Sequence, residues 1–308
     1  MPKVSVVLPN YNYARYLRER IRSILQQSFS DFELIIVDDA STDESMQVIR
    51  QFAQDKRVRI VEYGENSGRV YQRWNDGAAV ASGDWLWFAG ADDGASPEFL
   101  ETALARAAVA PNVGICHTGY QTIDALGRTI SLRWNAIPEL SGRLQTDYYN
   151  EGASEAILLI KGCYLYSASA ILLRRDLFIE AGGFDSRLWQ AADWHLYLRM
   201  LQRCNITYSA RPLVSYRQHA QTVSNTSKAV VRAVEYAYCV AEAYKWLNND
   251  SRATASQRQE ALRYARSRVF DIFADPPVEI PESLRFAAQA INEVVPDQRL
   301  AAAGVATG

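Results

Sequence analysis

The residues best suited to chemistry are a pair of adjacent carboxylates, Asp92-Asp93, placed where an apolar and aromatic run, Trp85-Leu86-Trp87-Phe88-Ala89, breaks at Gly90-Ala91. Neighbouring carboxylates repel and are costly to ionise together without a cation, so a divalent metal with hard oxygen preferences, Mg²⁺ or Mn²⁺, is their natural partner. Taken alone the pair also reads as an ordinary turn after a strand. Two further polar clusters end apolar runs in the same way. Pro9-Asn10-Tyr11-Asn12 follows Val4–Leu8, and Asp38-Asp39 follows Phe32–Val37.

These clusters require an α/β frame. Val4–Leu8, Phe32–Val37, Val58–Tyr63 and Trp85–Phe88 have the length and composition of buried strands. Between them, Leu17, Ile21, Ile24 and Leu25 recur at helical spacing, Ser41 and Glu44 have capping-box spacing before a second helix, and a third helix is expected from Val70 to Ala81. Ser96 as N-cap and Pro97 at the first helical position predict a fourth. Strands alternating with helices predict βαβ crossovers and a mainly parallel sheet covered by helices. Ligands of such sheets bind beyond the carboxyl ends of the strands, where all three polar clusters fall.

Beyond Pro111 the pattern changes. Val113–Thr118, Tyr120–Ile123 and Thr129–Leu132 suggest a β-meander, and Arg133 to Gly152 a loop or lid without clear period. Ser167–Leu173 reads as a strand, and Asp176–Ala181 as a short helix closed by Gly182-Gly183. Asp193 begins a helix, and Ile206–Tyr208 and Leu213–Tyr216 are expected as two short strands. Helical patterns at Ala233–Leu247, Ala255–Phe273 and Pro281–Val294 follow a boundary expected near 225.

Composition bounds the function. The 308 residues are 48% hydrophobic and 22% charged, as in a soluble globular protein. A net charge of -2 offers no global attraction to nucleic acid. Cys116, Cys163, Cys204 and Cys239 lack the spacing of a zinc site or disulfide framework, and no apolar run approaches a membrane span. A cytoplasmic protein is expected, with peripheral contact at the inner face of the membrane as one option. Neither GxGxxG nor GxxxxGK[ST] occurs, so backbone phosphate cradles are not signalled and a metal must handle any phosphate.

Pro9-Asn10-Tyr11-Asn12, Val37 through Asp43, Asn66-Ser67-Gly68, Trp74-Asn75, Asp92-Asp93, Gly182-Gly183-Phe184-Asp185, Asp193-Trp194 and Tyr216-Arg217-Gln218-His219 together resemble the ordered signature of family-two inverting glycosyltransferases with the GT-A fold. The resemblance spans residues 3 to 225. It implies a Rossmann-like sheet, with residues 1–111 as the nucleotide-binding half, 112–225 as the acceptor-binding half and 226–308 as a helical extension. It also implies a nucleotide-sugar donor, UDP-linked above all, a saccharide or lipid-linked saccharide acceptor, and Mn²⁺ or Mg²⁺.

Carried over by position, Pro9, Tyr11 and Asn12 wall the nucleoside pocket and Asp39 accepts a hydrogen bond from the base. Arg69 or Arg73 reaches the pyrophosphate, Asp92 contacts ribose or metal, and Asp93 and His219 approach the metal. Asp193 is the candidate general base, its alternative being a helix N-cap; Asp38 has the same capping alternative. His195 and His117 are assigned to packing. The chain departs from the family pattern at Gly90 and Ala192, where acids are common in relatives. That leaves a second reading open, a sugar-nucleotide-binding protein without turnover. Tyr236, Tyr238, Tyr244 and Trp246 in the tail suit a helical cap, a homodimer contact or a membrane surface.

Overall fold

The computed structural model describes residues 1–133, 140, 142–220, 228–273 and 279–304. The expected boundary near 225 and most of the first half of the expected lid lie outside them. The chain divides into two compact units. One holds 1–150, 164–184 and 204–219; the other holds 151–163, 185–203 and 220–308.

The first unit is built on a ten-stranded sheet. Its first half follows the expected rhythm: β1 (Val4–Asn10), α1 (Ala14–Leu25), β2 (Phe32–Asp38), α2 (Ser45–Arg50), β3 (Val58–Glu62), α3 (Val70–Ala79) and β4 (Trp85–Phe88). The strands lie in the order β3-β2-β1-β4, all parallel, in register from Val4 against Phe32 and Trp85. β1 and β4 are buried at every position, which is why their sequences are continuous apolar runs and not alternating ones. Gly77 of α3 lets the helix approach Val7, since a Cβ there would overlap the Val7 side chain.

The remaining strands make the sheet mixed. β5 (Gly94–Ala95), β6 (Val113–Ile123), β7 (Thr129–Arg133), β8 (Tyr148–Asn150), β9 (Ile171–Arg174) and β10 (Asn205–Arg217) continue it as β4-β9-β6-β10-β5. Of these pairings only β6 with β10 is parallel. The mostly parallel character expected of the whole sheet therefore belongs to β3-β2-β1-β4. α4 (Phe99–Ala107) packs on β6 and β10, and α6 (Arg175–Glu180) on β9. Gly182 and Gly183, both at positive φ, close α6 as expected.

Several local expectations gave way to tertiary contacts. α4 begins at Phe99, not at Pro97, because Ser96 donates its N–H to Leu213 O and its carbonyl is taken by Gln27 Nε2. The Ser41–Glu44 capping box does not form: Ser41 Oγ accepts from Asn10 Nδ2 and the Asn12 N–H, and Asp43 accepts the N–H of Ser45 instead. The expected meander is one long β6 paired in a hairpin with β7. The two short strands expected at 206–216 are one β10 with a bulge at Ala210-Arg211-Pro212. It passes Gly119, where a Cβ would meet the carbonyl oxygens of Ala210 and Arg211 at 2.9 Å. The strand expected from Ser167 starts at Ile171, after a 3₁₀ turn at Ala168–Ala170.

The second unit is helical: α5 (Gly152–Leu159), α7 (Ala192–Met200), α8 (Ala229–Asn249), α9 (Ala255–Ile272), α10 (Arg285–Val294) and α11 (Gln298–Gly304). α8 packs on α7, α9 and α10, and α5 on α7 and α9. Thr254 and Gln257 form a reciprocal capping box at the start of α9. Among the described residues, no helix is long and apolar enough to cross a membrane.

Candidate functional site

Because β2, β1 and β4 are adjacent and parallel, Asp38-Asp39, Asn10 and Asp92-Asp93 all fall at one edge of the sheet. The clusters seen separately along the chain share that edge for this reason.

At the tips of β1 and β2 the side chains knit two loops. Asn10 Nδ2 donates to Asp38 at 2.7 Å and to Ser41 Oγ at 3.0 Å, and Asp38 also accepts the N–H of Ser41. Asp38 thus closes its own turn and does not cap a helix. Asn12 and Ala40 both have positive φ. Asn12 Oδ1 accepts the N–H of Thr42 and of Asp43, which offsets the strain locally. Pro9 is buried in β1, whereas Tyr11 and Asn12 are exposed.

Asp39 is buried and engaged. It accepts the N–H and hydroxyl of Ser67 and the Arg73 Nε at 2.5 Å. Arg73, itself buried, also pairs with Asp76 at 2.6 Å and lies over the Tyr63 ring. Expected as a pyrophosphate contact, Arg73 is instead clamped between two carboxylates. Arg69 is exposed as the N-cap residue of α3.

The acidic turn after β4 is laced to the end of β10. Arg217, buried, donates its backbone N–H to Asp93 at 3.0 Å and its Nε to the Asp92 carbonyl at 2.6 Å, while its Nη2 reaches Glu19 at 3.2 Å. His219 Nε2 lies 2.9 Å from Asp92 Oδ2, and its ring stacks on Tyr16 and meets the edge of Tyr13. Behind the turn, Gly90 N–H and Arg20 Nη2 both donate to Ser169 Oγ, at 2.8 and 3.2 Å. Arg20 is fully buried against the Trp87 ring. A Cβ on Gly90 would meet Asp93 Oδ2 at 2.9 Å, so a side chain at this position would require the Asp93 carboxylate to turn aside.

Burial, then the Asp92 charge, push the Asp93 pKa up to about 6, against the pull of Arg20. The same surroundings raise Tyr13, chiefly by burial and then by Asp92 and Asp93. Two adjacent oxygen-donor carboxylates, one of them held partly against ionisation, fit a hard divalent cation. Among the described residues, no three His, Cys, Asp or Glu side chains converge as a complete metal site.

The elevated pKa has a testable sign. Between about pH 4 and 6 the folded chain holds a proton on Asp93 that the unfolded chain has released, so this group's contribution to stability falls as pH rises to 6 and is a net cost above it. Asp93→Asn should therefore melt higher than the wild type above pH 6, by on the order of 1 to 3 kcal/mol, with the difference fading towards pH 4. Superimposable stability curves for the two proteins across that range would contradict the raised pKa of Asp93.

In the helical unit, Asp193 occupies the second position of α7, whose N-cap residue is Ala191. Its Oδ1 lies 2.7 Å from the Trp194 N–H. Asp193 therefore is not the N-cap. His195 and His117 are buried and packed on Tyr238 and Tyr208, and burial pushes both down to about 3, so both are neutral imidazoles.

The sequence assigns no role to Arg217, Arg20, Ser67 or Ser169. Ser67 and Arg217 lie inside the motifs Asn66-Ser67-Gly68 and Tyr216-Arg217-Gln218-His219. Nothing local marks Arg20, which reads as one more charge on an amphipathic helix.

The chain matches the glycosyl transferase family 2 domain over residues 5–180. An uncharacterized glycosyltransferase of Nostoc sp. is 39% identical over 192 residues, which is 61% of this chain and 56% of that protein. The chain thus spans little more than half the length of that relative. A PGL/p-HBAD biosynthesis glycosyltransferase of Mycobacterium bovis is 31% identical over 200 residues, 64% of this chain and 69% of that one. Among solved structures, S. aureus TarS 1-349 in complex with UDP-GlcNAc aligns with a TM-score of 0.71 at 18% identity, covering 98% of this chain and 83% of the other. The mannosyltransferase PcManGT from Pyrobaculum calidifontis in complex with GDP-Man and Mn²⁺ aligns with a TM-score of 0.58 at 18% identity, covering 98% and 78%. At that identity the likeness speaks for the fold, the GT-A type expected from the sequence. With the family domain covering more than half of its residues, and with the acidic turn at the shared strand edge, the chain belongs to glycosyl transferase family 2.

Proposed function

We propose that the protein is an inverting glycosyltransferase that moves a sugar from a nucleotide donor, UDP-linked above all, to a hydroxyl of a saccharide or lipid-linked saccharide. The observation that carries this reading is the Asp92-Asp93 turn. It presents two carboxylates, one of them with a raised pKa, at the strand edge of a family 2 domain. TarS, solved with UDP-GlcNAc, supports a uridine donor, and PcManGT, solved with Mn²⁺, supports a divalent cation.

In this mechanism Asp93 would hold the cation, with Asp92 and His219 as the neighbouring groups. A bound cation would neutralise charge developing on the leaving diphosphate. Pro9, Tyr11, Asn12 and Asp39 form the nucleoside pocket, Arg73 serves it by holding Asp39, and Arg69 is the cation for the pyrophosphate. Asp193 takes the proton of the attacking acceptor hydroxyl, as inversion at the anomeric carbon requires a base on the face opposite the leaving group.

A thermal-shift screen of nucleotide sugars with and without Mn²⁺ tests the reading. One donor class should raise the melting temperature more with Mn²⁺ than without, and nucleoside diphosphate release should follow with that donor. The second reading, a binder without turnover, is favoured by Gly90, which Asp93 packs against. Mn²⁺-dependent UDP binding without UDP release from any donor would select it.

A further inference from the structure

The start of α7 is gripped by α8 of the C-terminal extension. Glu235, fully buried on α8, accepts the backbone N–H groups of three successive residues with one carboxylate: Trp189 at 2.6 Å, Gln190 at 2.8 Å and Ala191 at 2.9 Å. One helical turn later, the Cys239 thiol donates to the carbonyl of Ala191 at 3.7 Å. Both polar groups of the Ala191 peptide residue are thus gripped from one face of α8. Ring contacts extend the grip along α7, Tyr236 against Trp194 and Tyr238 against His195.

This arrangement is costly if its purpose is only to pack two helices. A buried carboxylate gives up its hydration, and burial raises the Glu235 pKa in spite of the three N–H donors. An apolar side chain of similar volume would join α8 to α7 without that penalty. What the carboxylate adds is direction: three converging N–H groups fix the backbone of residues 189–191. The next two residues are Ala192 and Asp193. Ala191 and Ala192 are buried and carry no polar side-chain group, so the side-chain hydrogen bonds described for this turn come from Glu235 and Cys239 of α8.

We propose that Glu235 is a positioning residue for Asp193, and that the C-terminal helices serve to hold the general base in place. This rests on the reading of Asp193 as the base. It also gives residues 226–308 a part in turnover, distinct from binding the donor.

The test compares Glu235→Gln with Asp193→Asn in the full chain, using the donor selected by the thermal-shift screen and following nucleoside diphosphate release. Glu235→Gln keeps the size and one acceptor oxygen but places an NH₂ against the N–H cluster. It should lower kcat by about 10²-fold, as a misplacement near 1 Å does. KM for the donor should stay within about twofold, and hydrogen exchange should show faster exchange of the amides of residues 189–191. A purely structural loss would lower the folded fraction, or would move KM together with kcat. Should Glu235→Gln fail to fold, Cys239→Ala loosens the same turn from the carbonyl side and is scored identically. A folded variant with kcat within twofold of wild type, while Asp193→Asn is inactive, overturns the role of Glu235 alone. Full activity in Asp193→Asn overturns the base assignment, and the positioning role with it.

Discussion

Replacing Asp193 with Asn should reduce turnover about 10²- to 10⁴-fold, the range by which a positioned base typically assists proton transfer. That corresponds to roughly 3 to 5 kcal/mol of barrier. The substitution is nearly isosteric, and Asn Oδ1 can occupy the place from which Asp193 Oδ1 faces the Trp194 N–H, so α7 should keep its start. Nucleoside diphosphate affinity, measured by calorimetry with Mn²⁺, should stay within about twofold, because the pocket proposed for the nucleotide lies at the strand tips of β1, β2 and β4. A loss of turnover smaller than about threefold would assign the proton to another group. A matched loss of UDP affinity would instead make Asp193 a donor-binding residue.

The second large effect is expected on stability. Arg73 and Asp39 pair at 2.5 Å with side chains only 9% and 7% exposed, so neither charge has water to fall back on. Arg73→Met should cost about 3 to 5 kcal/mol, most of it the penalty of leaving Asp39 buried with Ser67 as its remaining partner. Urea unfolding should show the midpoint fall without a change in slope. The double variant with Asp39→Asn should recover part of the loss, since the stranded charge is gone, and this non-additivity is the signature of the pair. UDP binding should weaken in Arg73→Met even at temperatures where the variant is folded, because Asp39 and the Ser67 loop lose their common clamp. If stability drops by less than about 1 kcal/mol, the pair is better solvated than its burial implies.

Much of the first unit was legible because its signals are local. β1, β2 and β4 are apolar runs with polar turns at their ends, and a chain with that pattern can bury the run only in the interior of a sheet. The turn residues then fall at the strand tips, which is why Asp38, Asp39, Asp92 and Asp93 could be singled out. Local signals failed where two partners competed. Ser96 satisfies every rule for a helix start, yet β10 claims its N–H and Gln27 its carbonyl. Ser41 has the spacing of a capping box, but its hydroxyl oxygen already accepts the Asn10 side-chain amide and the Asn12 N–H.

The amino-acid sequence by itself determined the alternation of strands and helices from β1 to β4, where the acids fall, and the family, since apolar periodicity and short motifs act through neighbours a few residues away. Only the tertiary structure decided who partners whom across the chain: Arg217 with Glu19, 198 positions apart, Arg20 with Ser169, 149 apart, and Glu235 with the turn before Asp193. A buried charge must find its compensating group wherever the fold brings one. That choice is made by the three-dimensional packing of the interior, which spacing along the chain does not encode.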